Sequence, residues 1–256
     1  SYNPKTWTSG SVRATASTTV SGYYLQTSTD AQTWKTQNYV DRTTNGAVYA
    51  RLTDGVNVGN YVTGNVGNID KTAPTFSSLN NPTNGDWTNK SFSLKGSASD
   101  SRSGIDYWYY QYGNSAWEIY SASQGKTNYT TTPFSLDRNE NVKIWVCDNV
   151  GNCSSKSTRI RIDKTAPTIS WEQKKNLTCS GYTGPYGIIP TVTDAGSGYD
   201  YGYYKWNKGG DEQTVYRGGA NKFSECIAAS SKKQKVSYKI CDKLNNCSSG
   251  RKKFTF

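Results

Sequence analysis

The sequence predicts an all-β protein in which three β-sandwich domains follow one another in an elongated array. The segment from Val142 to Thr168 carries apolar residues at every second position, then turn residues, then a second alternating run. Alternation with a period of two is typical of a strand with one buried face. The pattern recurs around Asp54, Asp148 and Asp242, at intervals of 94 residues. This period suits a small sandwich domain and is too long for a solenoid turn.

The composition supports this fold class. The chain has 256 residues with 20 Tyr and 24 Gly and no His, which favours strands and turns. No window shows helical periodicity for more than about two turns. Without His the chain has no His-based catalytic triad or His-ligated metal. Paired carboxylates would need a cleft that a small sandwich lacks, so we predict that the protein is not an enzyme.

The first repeat is predicted to span residues 1–71. Strands are expected at residues 12–16 and 23–27, and a final hairpin at residues 48–69. Only six residues precede Trp7, whereas about twelve to fifteen residues of the second repeat precede its equivalent, Trp87. We therefore expect the first repeat to lack its first strand, which is either trimmed away or supplied by another segment.

The second repeat is predicted to span residues 72–164 and has the most regular pattern. Alternation from Phe92 to Ala98 leads into a turn at Asp100 and an aromatic strand from Ile105 to Tyr112, and the Val142 hairpin closes the repeat. About seven strands separated by turns predict an immunoglobulin-like sandwich.

The third repeat is predicted to span residues 165–256 and to keep the same plan. Phe254 and Phe256 fall 94 residues after Ile160 and Ile162. The chain therefore stops at the end of a repeat, and we expect it to be a fragment of a longer protein whose export signal or anchor lies elsewhere. The chain has no apolar run of transmembrane length, so we expect no membrane insertion of this fragment.

The six cysteines predict disulfides. One pair flanks the hairpin turn of the second repeat and another flanks the same turn of the third, each in a C-x5-C arrangement. This spacing without His is a poor zinc pattern. Disulfides indicate an oxidising, extracellular compartment. The predicted pairs are Cys147–Cys153, Cys241–Cys247 and Cys179–Cys226.

The motifs carry a family resemblance. D-x-x-S-G opens the aromatic strands, D-N-V-G-N forms the hairpin turn of the second repeat, and I-D-K-T-A-P-T stands at both domain joins. This set resembles the tandem immunoglobulin-like repeats of large bacterial cell-surface proteins, over nearly the whole chain. The hairpin turn of the third repeat, D-K-L-N-N, departs from the motif at three positions. The resemblance implies a stalk or adhesin, or accessory modules of a surface enzyme, and it implies no particular ligand.

Three functions follow as expectations. The first is a non-catalytic stalk or adhesin segment of a bacterial surface protein, a monomeric rod without cofactor. The second is a binding module for a host extracellular protein, for example an immunoglobulin, or for a glycan. The third is an accessory part of a surface enzyme whose catalytic domain lies elsewhere. A disulfide-bonded extracellular chain argues against nucleic acid as the partner.

The third repeat is where we expect any ligand to bind. It holds 14 basic and 7 acidic residues, a net charge of +7, against +2 for each of the other repeats. It also has Tyr-rich segments that could present rigid contact area. The alternative is an ordinary solvated strand and loop. The candidate contact residues are Tyr182, Tyr186, Tyr199, Tyr201, Tyr203, Lys232, Lys233 and Lys235.

Aspartates near the domain joins are a further candidate. The turns at Asp100 and Asp148 are expected to face the connector that holds Asp70. Calcium takes six to eight oxygens and often several carboxylates, whereas only three carboxylates are suggested here and Lys71 is adjacent. The sequence therefore favours turn-capping aspartates over a metal site.

Overall fold

The computed structural model describes residues 1–113, 118–120, 125–179, 182–206, 213–215, 222–224, 227–229 and 232–256. These residues form 23 β-strands joined by turns and contain no helix. The predicted all-β class is therefore confirmed. Within the described ranges there is no helix with the length and apolar character needed to span a membrane.

The first repeat holds seven strands in two sheets. One sheet has the order β1-β2-β5 and the other β4-β3-β6-β7. The strands are β1 (Tyr2–Asn3), β2 (Val12–Thr15), β3 (Tyr24–Ser28), β4 (Lys35–Thr36), β5 (Tyr39–Arg42), β6 (Gly46–Thr53) and β7 (Val62–Val66). Tyr2 pairs with Ala14, so the expected loss of the first strand is corrected: two residues occupy that position.

The second repeat has the same two sheets with one added strand. The strands are β8 (Thr75–Asn80), β9 (Trp87–Thr88), β10 (Lys95–Ser99), β11 (Ile105–Tyr112), β12 (Glu118–Tyr120), β13 (Asn128–Thr130), β14 (Arg138–Asp148) and β15 (Cys153–Ile162). Their orders are β8-β10-β13 and β12-β11-β14-β15-β9. Strand β9 joins the second sheet by pairing parallel to β15.

The third repeat follows the plan again. The strands are β16 (Thr168–Cys179), β17 (Tyr182–Thr193), β18 (Tyr199–Trp206), β19 (Gln213–Val215), β20 (Lys222–Ser224), β21 (Ile227–Ala229), β22 (Lys233–Asp242) and β23 (Cys247–Thr255). One sheet has the order β16-β17-β20, with β21 also paired to β17, and the other has the order β19-β18-β22-β23.

The shared strand order identifies the fold. In every repeat one sheet contains three strands in matching order, β1-β2-β5, β8-β10-β13 and β16-β17-β20, and in the other sheet the final hairpin lies beside the strand that crosses between the sheets. This arrangement is that of an immunoglobulin-like β-sandwich. The chain is therefore a tandem array of immunoglobulin-like repeats.

The chain divides into two compact units. One comprises Ser1–Asn80, Lys95–Thr131 and Val142–Ser157, and the other comprises Asn81–Leu94, Thr132–Asn141 and Thr158–Phe256. The second repeat contributes segments to both. The three domain boundaries drawn from the sequence, and the elongated arrangement, stay predictions.

A buried tryptophan lies at the centre of the packing between those strands of the second repeat that belong to the first unit. Trp108 in β11 is fully buried, stacks on Tyr129 with ring centroids 5.4 Å apart and meets Phe76 edge-on at 5.5 Å. Its Nε1 donates to the carbonyl oxygen of Lys126 at 2.9 Å, which satisfies the only polar atom of the ring. A Cβ at Gly96 would lie 3.3 Å from the indole, so the small residue admits the large one.

The core of the third repeat lies in the second unit. It consists of the buried side chains of Ile188, Val192, Tyr199, Tyr204, Val236, Ile240 and Phe254. In the first repeat the corresponding cluster is smaller and consists of Val12, Ala14, Val48, Val66 and Ile69.

In the second repeat, the alternating apolar side chains of the final hairpin are buried as predicted. Val142, Ile144 and Val146 are all fully buried. Among their counterparts, Val48, Val236 and Ile240 are buried, whereas Ala50, Leu52 and Tyr238 are half-buried. Thus the expectation holds in full for the second repeat and in part for the other two.

Candidate functional site

The connector after the first repeat is bonded to turns of the second. Asp70 is fully buried, and its Oδ1 and Oδ2 accept the N–H groups of Thr72 at 2.9 Å and Ser103 at 3.0 Å. The side chain of Asn152 donates to the carbonyl oxygen of Asp70 at 3.2 Å. The backbone and the side chain of Asp70 are therefore both held by the following repeat.

Two turn aspartates stand beside Asp70. Oδ1 of Asp100 accepts the N–H groups of Arg102 at 3.0 Å and Gly104 at 2.8 Å. Oδ1 of Asp148 likewise accepts two N–H groups of its own turn, at 3.0 and 2.8 Å. Carboxylate oxygens of the three aspartates lie within 4.8 Å of one another. We call these three residues the first aspartate cluster.

The connector after the second repeat builds the same arrangement. Oδ2 of Asp163 accepts the N–H of Ser197 at 2.6 Å, and the side chain of Asn246 donates to the carbonyl oxygen of Asp163 at 2.9 Å. Carboxylate oxygens of Asp163, Asp194 and Asp242 again lie within 4.8 Å of one another. These three residues, the second aspartate cluster, are 3%, 8% and 0% exposed. The predicted meeting of turns and connector therefore occurs twice.

The two clusters differ in charge compensation. Burial tends to raise the pKa of Asp70, but the N–H groups of Thr72 and Ser103 and the charge of Arg102 hold that pKa below its usual value. The equivalent of Arg102 in the third repeat is Gly196. Burial of Asp194 raises its pKa, and the charges of Asp163 and Asp242 add to this, despite an N–H bond from Gly198.

Gly196 lies directly against the connector. A Cβ built on it would overlap the carboxylate of Asp163. Asp163, Asp194 and Gly196 also line a cavity of about 580 Å³, so the second cluster borders space that water can fill.

Both predicted hairpin disulfides are present. Cys147 is bonded to Cys153 and Cys241 to Cys247. In the first repeat Thr53 takes the place of the cysteine, and its hydroxyl donates to the carbonyl oxygen of Asn57 at 2.7 Å. A hydrogen bond therefore closes the tip that a disulfide closes elsewhere. The predicted Cys179–Cys226 bond lies outside the described side chains.

The predicted ligand contacts of the third repeat have different environments. Tyr199 is 0% exposed and belongs to the core, so it is not part of a contact surface and this expectation is corrected. Tyr186 is half-buried and packs on Phe256 with ring centroids 4.9 Å apart. Two further tyrosines and a lysine are half-buried and two lysines are exposed, in the order Tyr201, Tyr203, Lys235, Lys232 and Lys233. The side chain of Tyr182 lies outside the description.

On the second repeat, two tyrosines of the aromatic strand form a surface together with a tryptophan of the neighbouring strand. The half-buried rings of Tyr107 and Tyr109 stack with centroids 5.6 Å apart, and Tyr109 stacks on Trp145 at 5.2 Å. The ammonium of Lys143 lies 4.3 Å from the Trp145 ring centroid. Cross-strand pairing of Tyr109 with Trp145 brings the rings together, so aligning β11 with β14 in the sequence would have found them.

No protein-family model matches the chain, and a search of curated proteins finds no significant match. Among solved structures, it is similar to fibronectin(III)-like modules of CbhA from Clostridium thermocellum, at 12% identity over 70% of this chain and 92% of that chain, with a TM-score of 0.27. A segment of titin domains has 11% identity over 97% and 94% of the two chains, with a TM-score of 0.34.

A tetra-tandem repeat from the extending region of a large adhesion protein is also similar. It has 16% identity over 96% of this chain and 70% of that chain, with a TM-score of 0.38. All three TM-scores are low, so the assignment of the immunoglobulin-like fold rests on the strand order of this chain.

Proposed function

We propose that this chain is a non-catalytic stalk segment of an exported bacterial cell-surface protein. The observation that carries the proposal is the repeated join. At both connectors a buried aspartate bonds to the same serine N–H of the following repeat, and the same asparagine bonds to its carbonyl oxygen. A join that is built twice in the same way favours a fixed spacing between successive repeats.

The connectors support a spacer in a second way. Each contains one proline, which restricts the backbone, and each is short. Flexible linkers are rich in Gly and Ser and make no such bonds. A spacer that holds something away from a surface benefits from joins that resist bending.

The two hairpin disulfides fit a protein that works outside the cell, because disulfides persist in oxidising compartments. The bacterial surface is proposed from the resemblance of the join and turn motifs to bacterial surface repeats.

Small-angle X-ray scattering of the whole chain tests the stalk. A single compact body of 256 residues would have a radius of gyration of about 18 Å. A stalk of three repeats is expected to exceed this clearly and to keep its maximum dimension as salt is varied. A radius near that of the compact body would contradict the proposal.

A binding role for the third repeat is the second candidate. The exposed ammonium groups of Lys232 and Lys233 and the half-buried rings of Tyr201 and Tyr203 favour it, since rigid aromatic and cationic side chains anchor many interfaces. The ligand class would be a host extracellular protein or a glycan. A role as accessory module of a surface enzyme would instead be indicated by a catalytic domain in the flanking sequence.

Screening the intact chain against host secretions and glycans tests this second role. Replacing Tyr201 and Tyr203 together by Ser should abolish any binding found. The matched control replaces Tyr107 and Tyr109 by Ser on the second repeat and should leave binding intact. The opposite result would assign binding to the second repeat.

A further inference from the structure

The two aspartate clusters are short of positive charge. All six carboxylates belong to residues with little exposure, and five of the six residues are buried. Within the described ranges none of the six makes an ion pair with Lys or Arg. Three carboxylates within 4.8 Å of one another, withdrawn from water and unpaired, repel one another strongly.

Each cluster also contains a serine hydroxyl that has no hydrogen-bond partner. Ser103 and Ser197 are 9% and 7% exposed, and the Oγ atom of each is buried without a donor or acceptor. The N–H of each serine bonds to the carboxylate of the connector aspartate, so the serine lies directly beside the cluster. Buried hydroxyl groups normally make a hydrogen bond. Two serine hydroxyls without one, at equivalent positions in two repeats, therefore point to a ligand that binds beside them.

Two of the aspartates also have a carboxylate oxygen that the turn does not use. Oδ1 of Asp100 and of Asp194 each accepts two N–H groups, whereas Oδ2 of each accepts no hydrogen bond from the described residues. An ionised carboxylate offers about four acceptor positions. Capping the turn therefore uses only some of the acceptor positions of each carboxylate.

We infer that each aspartate cluster, with its serine, is a binding site for a divalent cation, and that Ca²⁺ fits the site best. All candidate ligands are hard oxygens, which suit Ca²⁺ and Mg²⁺ and exclude softer metals that prefer nitrogen or sulfur. Ca²⁺ accepts six to eight oxygens in irregular geometry, and water completes its shell, whereas Mg²⁺ demands a near-ideal octahedron. The ligand sets are Asp70, Asp100, Asp148 and Ser103, and Asp163, Asp194, Asp242 and Ser197.

The cation would join each connector to two turns of the next repeat. Its ligands come from three separate segments, so binding replaces mutual repulsion by attraction to one ion. The second site should depend on the ion more strongly, because Gly196 stands where Arg102 contributes charge in the first. The inference does not rest on the stalk function: either can fail alone.

An Asp→Asn substitution separates cation binding from turn capping. Asp→Asn keeps an oxygen that can cap a turn but removes the charge that a cation needs. We expect calorimetric titration of the whole chain with CaCl₂ to give two ions per chain, with dissociation constants of about 10⁻⁴ to 10⁻³ M. Asp100→Asn and Asp194→Asn should each reduce the number to one. The control Asp54→Asn, at the exposed first-repeat counterpart of Asp148 and Asp242, should leave two.

A second measurement needs no variant. Metal analysis by mass spectrometry of the wild-type chain, after dialysis against Ca²⁺ and then against EDTA, should show two ions gained and lost. No binding up to roughly 10 mM Ca²⁺, ten times the weak end of the range for extracellular modules, overturns the inference. So does binding that both Asn variants leave unchanged.

Discussion

At the scale of single residues, burial separates positions that look alike in the sequence. Val146 in β14 is fully buried, whereas Val62 in β7 is 69% exposed. Replacing each by Asp therefore puts a charge into two different environments. Val146→Asp should unfold the second repeat, with a loss of more than about 4 kcal/mol, because an unpaired charge enters the core.

Circular dichroism melting of both variants measures this. Val62→Asp is the control and should change the free energy of unfolding by no more than about 0.5 kcal/mol. An unchanged melting curve for Val146→Asp would refute the alternation on which the repeat assignment rests.

Asp30 predicts an acid dependence of the first repeat. The N–H groups of Thr33 and Gln32 and the hydroxyl of Ser28 hold the pKa of this carboxyl well below its usual value. A folded pKa below the unfolded one stabilises the fold above the unfolded pKa of about 4, and this contribution is lost as the pH falls through the folded value. Asp30→Asn should therefore flatten the decline in the melting temperature of the first repeat between neutral and acid pH. An identical decline in both proteins would contradict this.

At the scale of elements, the final hairpin is closed by different chemistry in different repeats. Removing the disulfide of the second repeat with Cys147→Ala and Cys153→Ala should cost roughly 2 kcal/mol, because the small loop regains entropy when unfolded. The hairpin of the first repeat, closed by Thr53, is the internal control: a reducing agent should leave its unfolding unchanged. Denaturant unfolding followed by hydrogen exchange resolves the two repeats, and equal sensitivity of both to reduction would count against this account.

The asparagine at each join is the second element-level prediction. The side chain of Asn246 donates to the carbonyl oxygen of Asp163 at 2.9 Å and to Oδ2 of Asp242 at 2.6 Å. Asn246→Ala leaves a buried carboxylate short of a donor and should cost about 1–3 kcal/mol. Asn65→Ala, at an exposed strand position, should cost far less. Amide exchange in the connector is the measurement, and unchanged protection there would disprove the role of Asn246.

The strands and their buried faces could be predicted because alternation is a local property of the sequence. The face of Tyr199 could not be predicted in the same way. Pairing of β18 with β22 shifts register between Tyr199 and Tyr201, and a bulge interrupts strict alternation. Tyr199 is therefore buried, while Tyr201 and Tyr203 are partly exposed. The equivalent Ile105 also lies at a register shift, and its apolar character was the available signal.

The aspartate clusters were half predictable. The predicted immunoglobulin-like topology placed the turns of Asp100 and Asp148 beside the connector that holds Asp70. The orphan hydroxyls of Ser103 and Ser197 depend on side-chain distances that no sequence pattern encodes. For that reason the sequence favoured simple turn caps, while the structure adds an argument for a shared ion.

At the scale of the whole molecule, charge is distributed unevenly. The net charge of +11 comes mostly from the third repeat. The chain should therefore bind an anionic polymer such as heparin weakly, and added salt should abolish this binding by screening. Replacing Lys232, Lys233 and Lys235 by Ala should weaken retention on a heparin column. The control replaces Lys90, Lys95 and Lys126 of the second repeat by Ala, which removes the same charge and should weaken retention less. Equal effects of the two triple variants would show that only the total charge of the chain matters.

The close fit of Gly196 against Asp163 has a consequence for how such arrays can evolve. Genes for tandem repeats readily exchange segments by recombination, since neighbouring copies resemble one another. Here the turn of the second repeat carries Arg102, and moving that turn into the third repeat would push a side chain into the Asp163 carboxylate. The turns of the second and third repeats are therefore not interchangeable unless the Asp163 side chain shifts.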